Sequence, residues 1–357
     1  MFLKTSKKRE NRIKKMFRLV NKIQIGTYGF TGCISVNITK SRENFTQTAI
    51  IEMPNILYNQ TGQPVFISNT NLLTNLISRG DIVKIWNGYN KPFDDLQIKF
   101  RGFVSRIQPD EIIKIYCEDY SYALKQINVA SKAFTNATIK DIVDYVLEGT
   151  NIDVVYDDED LVIGDWVIDN NSNINAIQVF DKLDEFGIRV YFQDNVLHIG
   201  GLTDTTGETN CFIFEHNIIS NNLEFRKDDD ISLVIKGISN LDTNEKIERY
   251  TYLEDGEIVV KEDGIPGEQR TLNYYNKTAD ELEEILRNNF NKYIYTGYSG
   301  NFQTFLEPFV SINNFVNLYS MKFPERNSQY KVKSVITEVS INGGFQTIEL
   351  DYKIKDL

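Results

Sequence analysis

The sequence predicts a mainly β protein with an α+β insert: two tube-like antiparallel β-barrel domains flanking a small α/β domain. Three observations carry that expectation. Short stretches with apolar residues at alternate positions recur towards both ends of the chain, which is the period of half-buried strands. Between them, apolar residues fall at helical spacing. The pattern FRGFVSRIQPDEIIKIYCEDY (Phe100 to Tyr120) is echoed by YKVKSVITEVSINGGFQTIELDYKI (Tyr330 to Ile354). A chain of 357 residues, 41% hydrophobic and 25% charged, is long enough for two or three domains with real cores. Its 22 Phe and 19 Tyr lean towards strands.

The elements follow in order. Residues 1–18 form a basic N-terminal arm holding Lys4, Lys7, Lys8, Arg9, Arg12, Lys14, Lys15 and Arg18 against one acid, Glu10. The arm is either a contact for an acidic partner or nucleic acid, or a solvated tail ahead of Met16. Residues 19–129 read as the first barrel. KIQIGTYGFTGCISVNITK and QTAIIEMPNI alternate, NTNLLTNLIS (69–78) suits one short helix, and DIVKIWNG, DLQIKFRGFVSRI and EIIKIYCED alternate again. Gln108-Pro109-Asp110-Glu111 turns between the last two.

Residues 130–205 are the α/β insert. Thr138 and Asp141 make a capping box ahead of a helix with Ile139, Ile142, Val143, Val146 and Leu147 on one stripe, stopped by Gly149. A second helix is expected over 173–186, with Ile177, Phe180 and Leu183 inward and Gly187 as its stop. A hairpin turning at Asp194-Asn195 follows. Residues 206–357 read as the second barrel, with a long helix near 278–296. Strands CFIFEHNI, LEFRKDD and DISLVIKGIS lead to a hairpin at Asp255-Gly256, which suits a type I′ turn. Thr278 and Glu281 complete a capping box for a helix carrying Leu282, Ile285, Leu286, Phe290 and Tyr293 on one face, with Gly297 as its stop. The echo hairpin closes the chain, turning at Asn342-Gly343-Gly344.

The echo is longer than a hairpin. DIVKIWNG precedes FRGFVSRI as NFVNLYSM precedes YKVKSVIT. Val83 to Val104 spans 21 positions and Val316 to Val335 spans 19. One barrel design used twice explains this order; chance likeness between alternating hairpins is the competing explanation.

Catalytic signatures are missing from the residue pattern. His198 and His216, the two histidines, each sit in an alternating stretch with no marked nucleophile nearby, which suits structural roles. Neither a Gly-rich phosphate loop, a nucleophile elbow nor a Cys/His ligand spacing occurs. The acidic runs 157–160 and 228–230 sit beside turn signals and read as solvated loops. Asp169, Asn171 and Asn173 begin like an EF-hand, but Ile174 stands where the loop needs Gly and Phe180 where it needs Glu. No cofactor, metal or catalytic residue is therefore assigned. Cys33, Cys117 and Cys211 are an odd count without paired spacing, unlike a disulfide framework. No apolar run is long enough for a transmembrane helix, and no apolar segment follows the basic residues to make a secretory signal. The arm carries a net +7, so residues 19–357 carry −18 of the total −11, a balance that argues against a nucleic-acid reader. DNA in transit is a different case, since a negative wall lacks the attractive term.

On the segments FRGFVSRI…IKIYCEDYSYALK, NAIQVFDKLDEFGIRVYFQDNVLHIG and QYKVKSVITEVSINGGFQTIELDYKI, the chain resembles the baseplate hub proteins of tailed bacteriophages. The likeness is to the late control protein D type and the hub part of contractile injection system spike proteins, over residues 22–356. The basic arm has no counterpart there, and Asn313-Asn314 stands where family members often have Gly. The resemblance implies a structural, non-enzymatic virion protein of the phage tail, assembled in the host bacterial cytoplasm. It implies a homotrimer whose duplicated barrels form a pseudo-sixfold ring. The ring joins the tail tube or distal tail protein to a spike or tail-tip protein, meets the tape measure protein, and surrounds DNA in transit, with no membrane insertion. Lytic and spike functions, fused in some members, are then expected on other chains. A glycan-binding or glycan-cleaving β-rich protein, using its aromatics or two converging carboxylates, is the alternative.

Overall fold

A computed structural model describes residues 18–54, 56–58, 64–66, 77–90, 92, 95–156, 161–168, 174–184, 188–200, 207–228, 232–241, 245–275, 277–312 and 314–357. The first half contains strands β1 (Leu19–Ile25), β2 (Tyr28–Phe30), β3 (Ser35–Ser41) and β4 (Thr48–Pro54). A small separate pair follows, β5 (Ile56–Tyr58) with β6 (Pro64–Phe66), and then β7 (Ile82–Tyr89), β8 (Ile98–Gln108) and β9 (Ile112–Glu118). They lie in the order β2-β1-β7-β8-β9-β4-β3, every neighbour antiparallel. Alternation puts Ile23, Val36, Ile51, Val83, Val104 and Ile115 on one face, where they form a single buried cluster. A ribbon of this width reaches one shared core from both of its ends only by curling, which makes the unit tube-like. At Gly102 the backbones of β8 and β9 come so close that a Cβ would lie 2.0 Å from the Glu118 carbonyl oxygen. The expected helix over 69–78 falls largely outside the described residues.

After α1 (Ser121–Leu124), the insert runs β10 (Lys132–Thr138), α2 (Ile139–Val146), β11 (Asp153–Tyr156), β12 (Val162–Ile168), α3 (Ala176–Asp184), β13 (Arg189–Gln193) and β14 (Val196–Gly200). β10 pairs with β12, while β14 lies between β13 and a parallel β11. The insert has its own core, which already includes Leu124 and Val129. Both bonds of the Thr138 capping box are present, and Gly149 has the left-handed conformation expected of a helix stop. Phe180 and Leu183 point inward as the periodicity requires, with Ile177 packed at the margin, whereas the expected stop, Gly187, lies outside the described residues.

The second half begins with β15 (Thr209–Ile213) and β16 (Ile218–Arg226). The stretch CFIFEHNI is therefore not one strand. Asn217 accepts the Ile213 N–H on its side-chain oxygen at 2.7 Å, the chain turns over 214–217, and His216 sits exposed in that turn. An excursion follows: β17 (Leu233–Asn240), β18 (Lys246–Glu254), β19 (Glu257–Lys261), β20 (Glu268–Tyr275) and α4 (Ala279–Tyr293). These strands form a separate sheet, β19-β18-β17-β20, and α4 covers it through Leu282, Leu286 and Phe290. The helix near 278–296 thus belongs to an appended α+β unit with its own core. It ends where Ile294 becomes extended, three residues before Gly297, which instead opens a strand.

The chain then returns with β21 (Gly297–Phe305), β22 (Phe315–Tyr319), β23 (Ser328–Ser340) and β24 (Gly343–Asp356). The last hairpin turns one residue earlier than expected, at Ile341-Asn342, leaving Gly343 at φ 124° to open β24. β15, β22, β23, β24, β21 and β16 lie in that order around a second core.

Leaving aside β2 and β5–β6 in the first half and the excursion in the second, each half has six main strands. Numbered along the chain within its half, each set lies in the order 1-4-5-6-3-2. Pairing registers superimpose as well. Val104 lies opposite Cys117 and Ile107 opposite Ile115, as Val332 lies opposite Leu350 and Val335 opposite Ile348. Val104 donates to the Asp81 carbonyl and Val332 to that of Asn314, at 2.9 and 3.1 Å. Val335 therefore corresponds to Ile107, not to Val104, a shift that sequence spacing hid. One strand breaks the equivalence: β1 is antiparallel to β7, but β15 is parallel to β22.

The halves share a sheet. β3 pairs with β23 from Ser334–Ser41 to Ser340–Ser35, fusing the main strands of both halves, with β2, into one 13-stranded sheet. Leu306 and Val339 from the second half enter the first half's core. The tip of the β23–β24 hairpin reaches the first half too, where the Tyr89 hydroxyl donates to the Gly344 carbonyl oxygen.

Candidate assembly surface and junction cavity

The face of the fused sheet turned away from both cores is a mixed surface in which polar residues predominate. One row crosses nine strands through directly opposed residues: Ser220, Gln303, Thr347, Ile336, Thr39, Thr48, Glu118, Phe103 and Ile82. Neighbouring rows add Asn301, Glu349, Ser35 and Glu52, and one runs Phe305, Phe345, Glu338, Asn37, Ile50, Tyr116 and Arg106, so apolar and aromatic side chains stand among the polar ones. Its carboxylates are mostly engaged. Glu52 meets Lys114 at 2.9 Å and accepts from the Ser35 hydroxyl at 2.7 Å, interactions that hold its pKa below the usual carboxylate range. Glu118 meets Lys125 at 2.6 Å, and Glu349 meets Lys333 at 3.2 Å. The surface is therefore hydroxyl- and amide-rich with compensated charge, unlike the acidic wall that the net charge of −18 suggests.

Strand edges without a partner among the described residues include the outer edge of β16 and the end of β8 beyond β7. β16 alternates weakly and is exposed over 219–222. Unpaired edges offer ready-made hydrogen-bonding rows to another chain.

A cavity of about 890 Å³ lies where the first half, the β13–β14 hairpin and the start of the second half meet. Lys40, Arg42 and Arg101 line it together with Asp119, Asp194 and Glu208. Asp119 accepts from the backbone N–H groups of Gln47 and Ser121 at 3.2 and 3.0 Å, yet burial pushes its pKa up to about 6. Desolvation lowers the pKa of Lys40, partly offset by Asp194 and Asp119. Arg42 ties the cavity to the second half through Asp351 at 2.9 Å. This cluster is formed by segments far apart in the chain, so no local motif could have announced it. His198 also lines the cavity, stacked on Tyr191 with ring centroids 5.2 Å apart. Among the described residues no group of His, Cys, Asp and Glu is arranged to hold a metal, and no helix is long and apolar enough to cross a membrane.

Of the basic arm, Lys4, Lys7, Lys8, Arg9, Arg12, Lys14 and Lys15 lie outside the described residues. Arg18 is exposed and held by its backbone: its N–H donates to the Asn90 side chain at 2.8 Å, and its carbonyl accepts from Asn90 N–H at 2.9 Å.

The sequence matches no protein-family model and no curated relative. Solved structures do match over nearly the whole chain. A 43 kDa tail protein of prophage MuSo2 from Shewanella oneidensis is 15% identical, with a TM-score of 0.58 over 93% of this chain and 98% of its own. A tail protein from Neisseria meningitidis is 12% identical, with a TM-score of 0.60 over 94% and 96%. An Escherichia coli component of the type VI secretion system, itself similar in structure to the T4 bacteriophage tail proteins gp27 and gp5, is 9% identical, with a TM-score of 0.55 over 94% and 79%. The fold is the one these tail and secretion-system proteins share, and the resemblance to baseplate hubs holds at that level.

Proposed function

We propose that this chain is a structural, non-enzymatic hub of a phage-type tail, working as a homotrimer. The observation that carries the reading is the repeated 1-4-5-6-3-2 strand order in two halves fused through β3 and β23. A chain that carries the same unit twice lets three copies present six similar units. A threefold assembly can then abut a sixfold tail tube or distal tail protein on one side and a threefold spike or tail-tip protein on the other. The likeness to tail and secretion-system proteins supports these partners, with the tape measure protein and DNA passing through the opening. Assembly would take place in the host bacterial cytoplasm, and the finished protein would reside in the tail.

Within this reading the polar face lines the channel. Each copy contributes eight strands, from β16 to β8 in sheet order. Three copies give about 24 strands, which at ~4.8 Å spacing is about 115 Å around and ~37 Å across at the backbone. Side chains narrow that bore without filling it. The cations of this wall are engaged, Lys114, Lys125 and Lys333 by Glu52, Glu118 and Glu349 and Arg106 by the Tyr116 ring, so passage relies on near-neutrality rather than repulsion.

The domain limits 1–18, 19–129, 130–205 and 206–357 stand as part of this proposal. The arm of Lys4 to Arg18 would leave the body beside Asn90, where Tyr89 meets the other half. The deciding experiment is the native mass together with a projection image of the purified protein. Three times 41.3 kDa with a six-lobed ring is expected. A monomer, or a closed assembly without sixfold appearance, overturns the reading.

A further inference from the structure

The junction inside the chain shows how one half joins another. β22 pairs with β23 only over Ser328–Lys331; Val332 then donates to Asn314, and beyond it the tail of β23 takes β3 on the same edge. The first half repeats the arrangement up to its last step. β7 pairs with β8 only as far as Phe103, Val104 donates to Asp81, and the tail Arg106–Gln108 continues with no strand on that edge among the described residues. The missing partner is the second strand of a second half. That strand is β16, which pairs with β21 on one edge and with nothing on the other among the described residues.

We infer that copies of this chain join by the same operation, the free edge of β16 in one copy adding to the tail of β8 in the next. This rests on the ring reading above and supplies its contact. Register carries over from the internal junction. Val36 and Ile38 correspond to Asn221 and Leu223 through their partners on the third strands. Ser334, opposite Ser41 inside the chain, corresponds to Arg106. Between copies, Arg106 then opposes Arg226, Ile107 opposes Phe225, and Gln108 opposes Glu224.

The side chains suit this register. Ile107 and Phe225 pack at the margins of their own cores, and meeting each other would cover both. Gln108 offers an amide to the Glu224 carboxylate. The opposed arginines are already compensated, Arg226 by Glu224 at 3.0 Å and Arg106 by the Tyr116 ring at 4.0 Å. The β8 tail is short, so the junction between copies has three opposed pairs where the internal one has seven. The ring therefore opens between copies before its halves part.

Opposed residues on adjacent strands have Cβ atoms about 4.5–5.5 Å apart, close enough for a disulfide after modest adjustment. The test is the full-length double variant Gln108→Cys with Glu224→Cys, in a Cys211→Ser background because Cys211 is exposed. Both chosen positions are exposed, so folding is preserved. Oxidation should give covalent dimers and trimers that reductant dissolves, while neither single variant forms trimers. A native trimer that stays uncrosslinked, with Cys at 108 combined in turn with Cys at 222, 224 or 226, overturns this pairing and leaves the ring intact. A protein that is monomeric at every concentration overturns both.

Discussion

The two halves of this molecule share strand order and register but fill their cores with different residues. The first half buries Ile23, Ile25, Ile38, Ile51, Ile85 and Ile115, an aliphatic core of β-branched side chains. At the position of Ile51, fixed by its opposition to Ile115, the second half has Phe302, opposite Ile348. Around Phe302 stand Phe212, Tyr298 and Tyr330, with Phe214 and Phe225 at the margin. Hydrogen bonding and alternation hold the topology, and any set of side chains that fills the volume satisfies the core. A duplicated unit can thus lose its sequence likeness while keeping the pairings that define it. The excursions diverge more freely: the β5–β6 segment lies between the third and fourth strands of the first half, and β17–β20 with α4 between the second and third of the second. A loop can grow wherever its ends stay close.

The largest effect expected from breaking this comparison is at the paired core positions. Phe302→Ala should cost about 4 kcal/mol and Ile51→Ala about 3, the aromatic leaving the larger cavity. Because Leu306 and Val339 tie the second half into the first core, both variants should melt in one calorimetric transition. Two separate transitions would show that the halves fold as independent units despite the shared sheet.

Gly102 comes next. Its counterpart by register is Tyr330, fully buried, whose hydroxyl accepts the Tyr298 N–H at 2.8 Å. In the first half the same position admits no side chain at all, because the Glu118 carbonyl occupies the space. Gly102→Ala should cost about 3 kcal/mol as the β8–β9 pair is forced apart. A thermal shift under a degree would show that the close approach relaxes freely.

Asp119 tests the cavity, which has no equivalent in the other half because Tyr352 stands at the matching position. Its folded pKa is raised to about 6, so between roughly pH 4 and 6 the folded state holds a proton that the unfolded state has lost. Stability from this group is then greatest at the acid end and falls as pH rises through 6, by up to about 3 kcal/mol. Asp119→Asn removes the titration. Its melting temperature relative to the wild type should rise from pH 4 to pH 7, and a difference independent of pH would show that Asp119 is not strained by burial.

Legibility in the sequence follows the range of the forces involved. Hairpins announced themselves through alternation and through Asp255-Gly256, where both residues take positive φ. The caps of α2 and α4 were legible because a capping box is a contact between residues three apart. The pairing of β3 with β23 joins residues some 300 positions apart and leaves no local mark. Nor does the parallel placement of β15, or the separation of β17–β20 into its own sheet. The register shift of the echo escaped because the β22–β23 hairpin is shorter than its β7–β8 counterpart: Val83 pairs with Gly102, 19 positions on, whereas Val316 pairs with Tyr330, only 14 positions on. The cavity was invisible for a related reason: Lys40, Asp194 and Glu208 meet only once three units have packed.

The smallest effect distinguishes the two helical units from the barrels they interrupt. Thr138 and Thr278 each accept the N–H three residues on, at 3.2 and 3.4 Å, while Asp141 and Glu281 return the contact. Replacing either threonine by Ala should cost about 1 kcal/mol. The consequences differ in place. α2 packs in a core that reaches back to Leu124, so Thr138→Ala should loosen the insert together with the segment leaving β9. α4 covers a sheet with a separate core, so Thr278→Ala should raise amide exchange in β17–β20 and leave β21–β24 unchanged. Faster exchange in β24 of the second variant would mean that α4, through contacts such as Tyr293 on Tyr352 with ring centroids 6.2 Å apart, braces the barrel as well as its own unit.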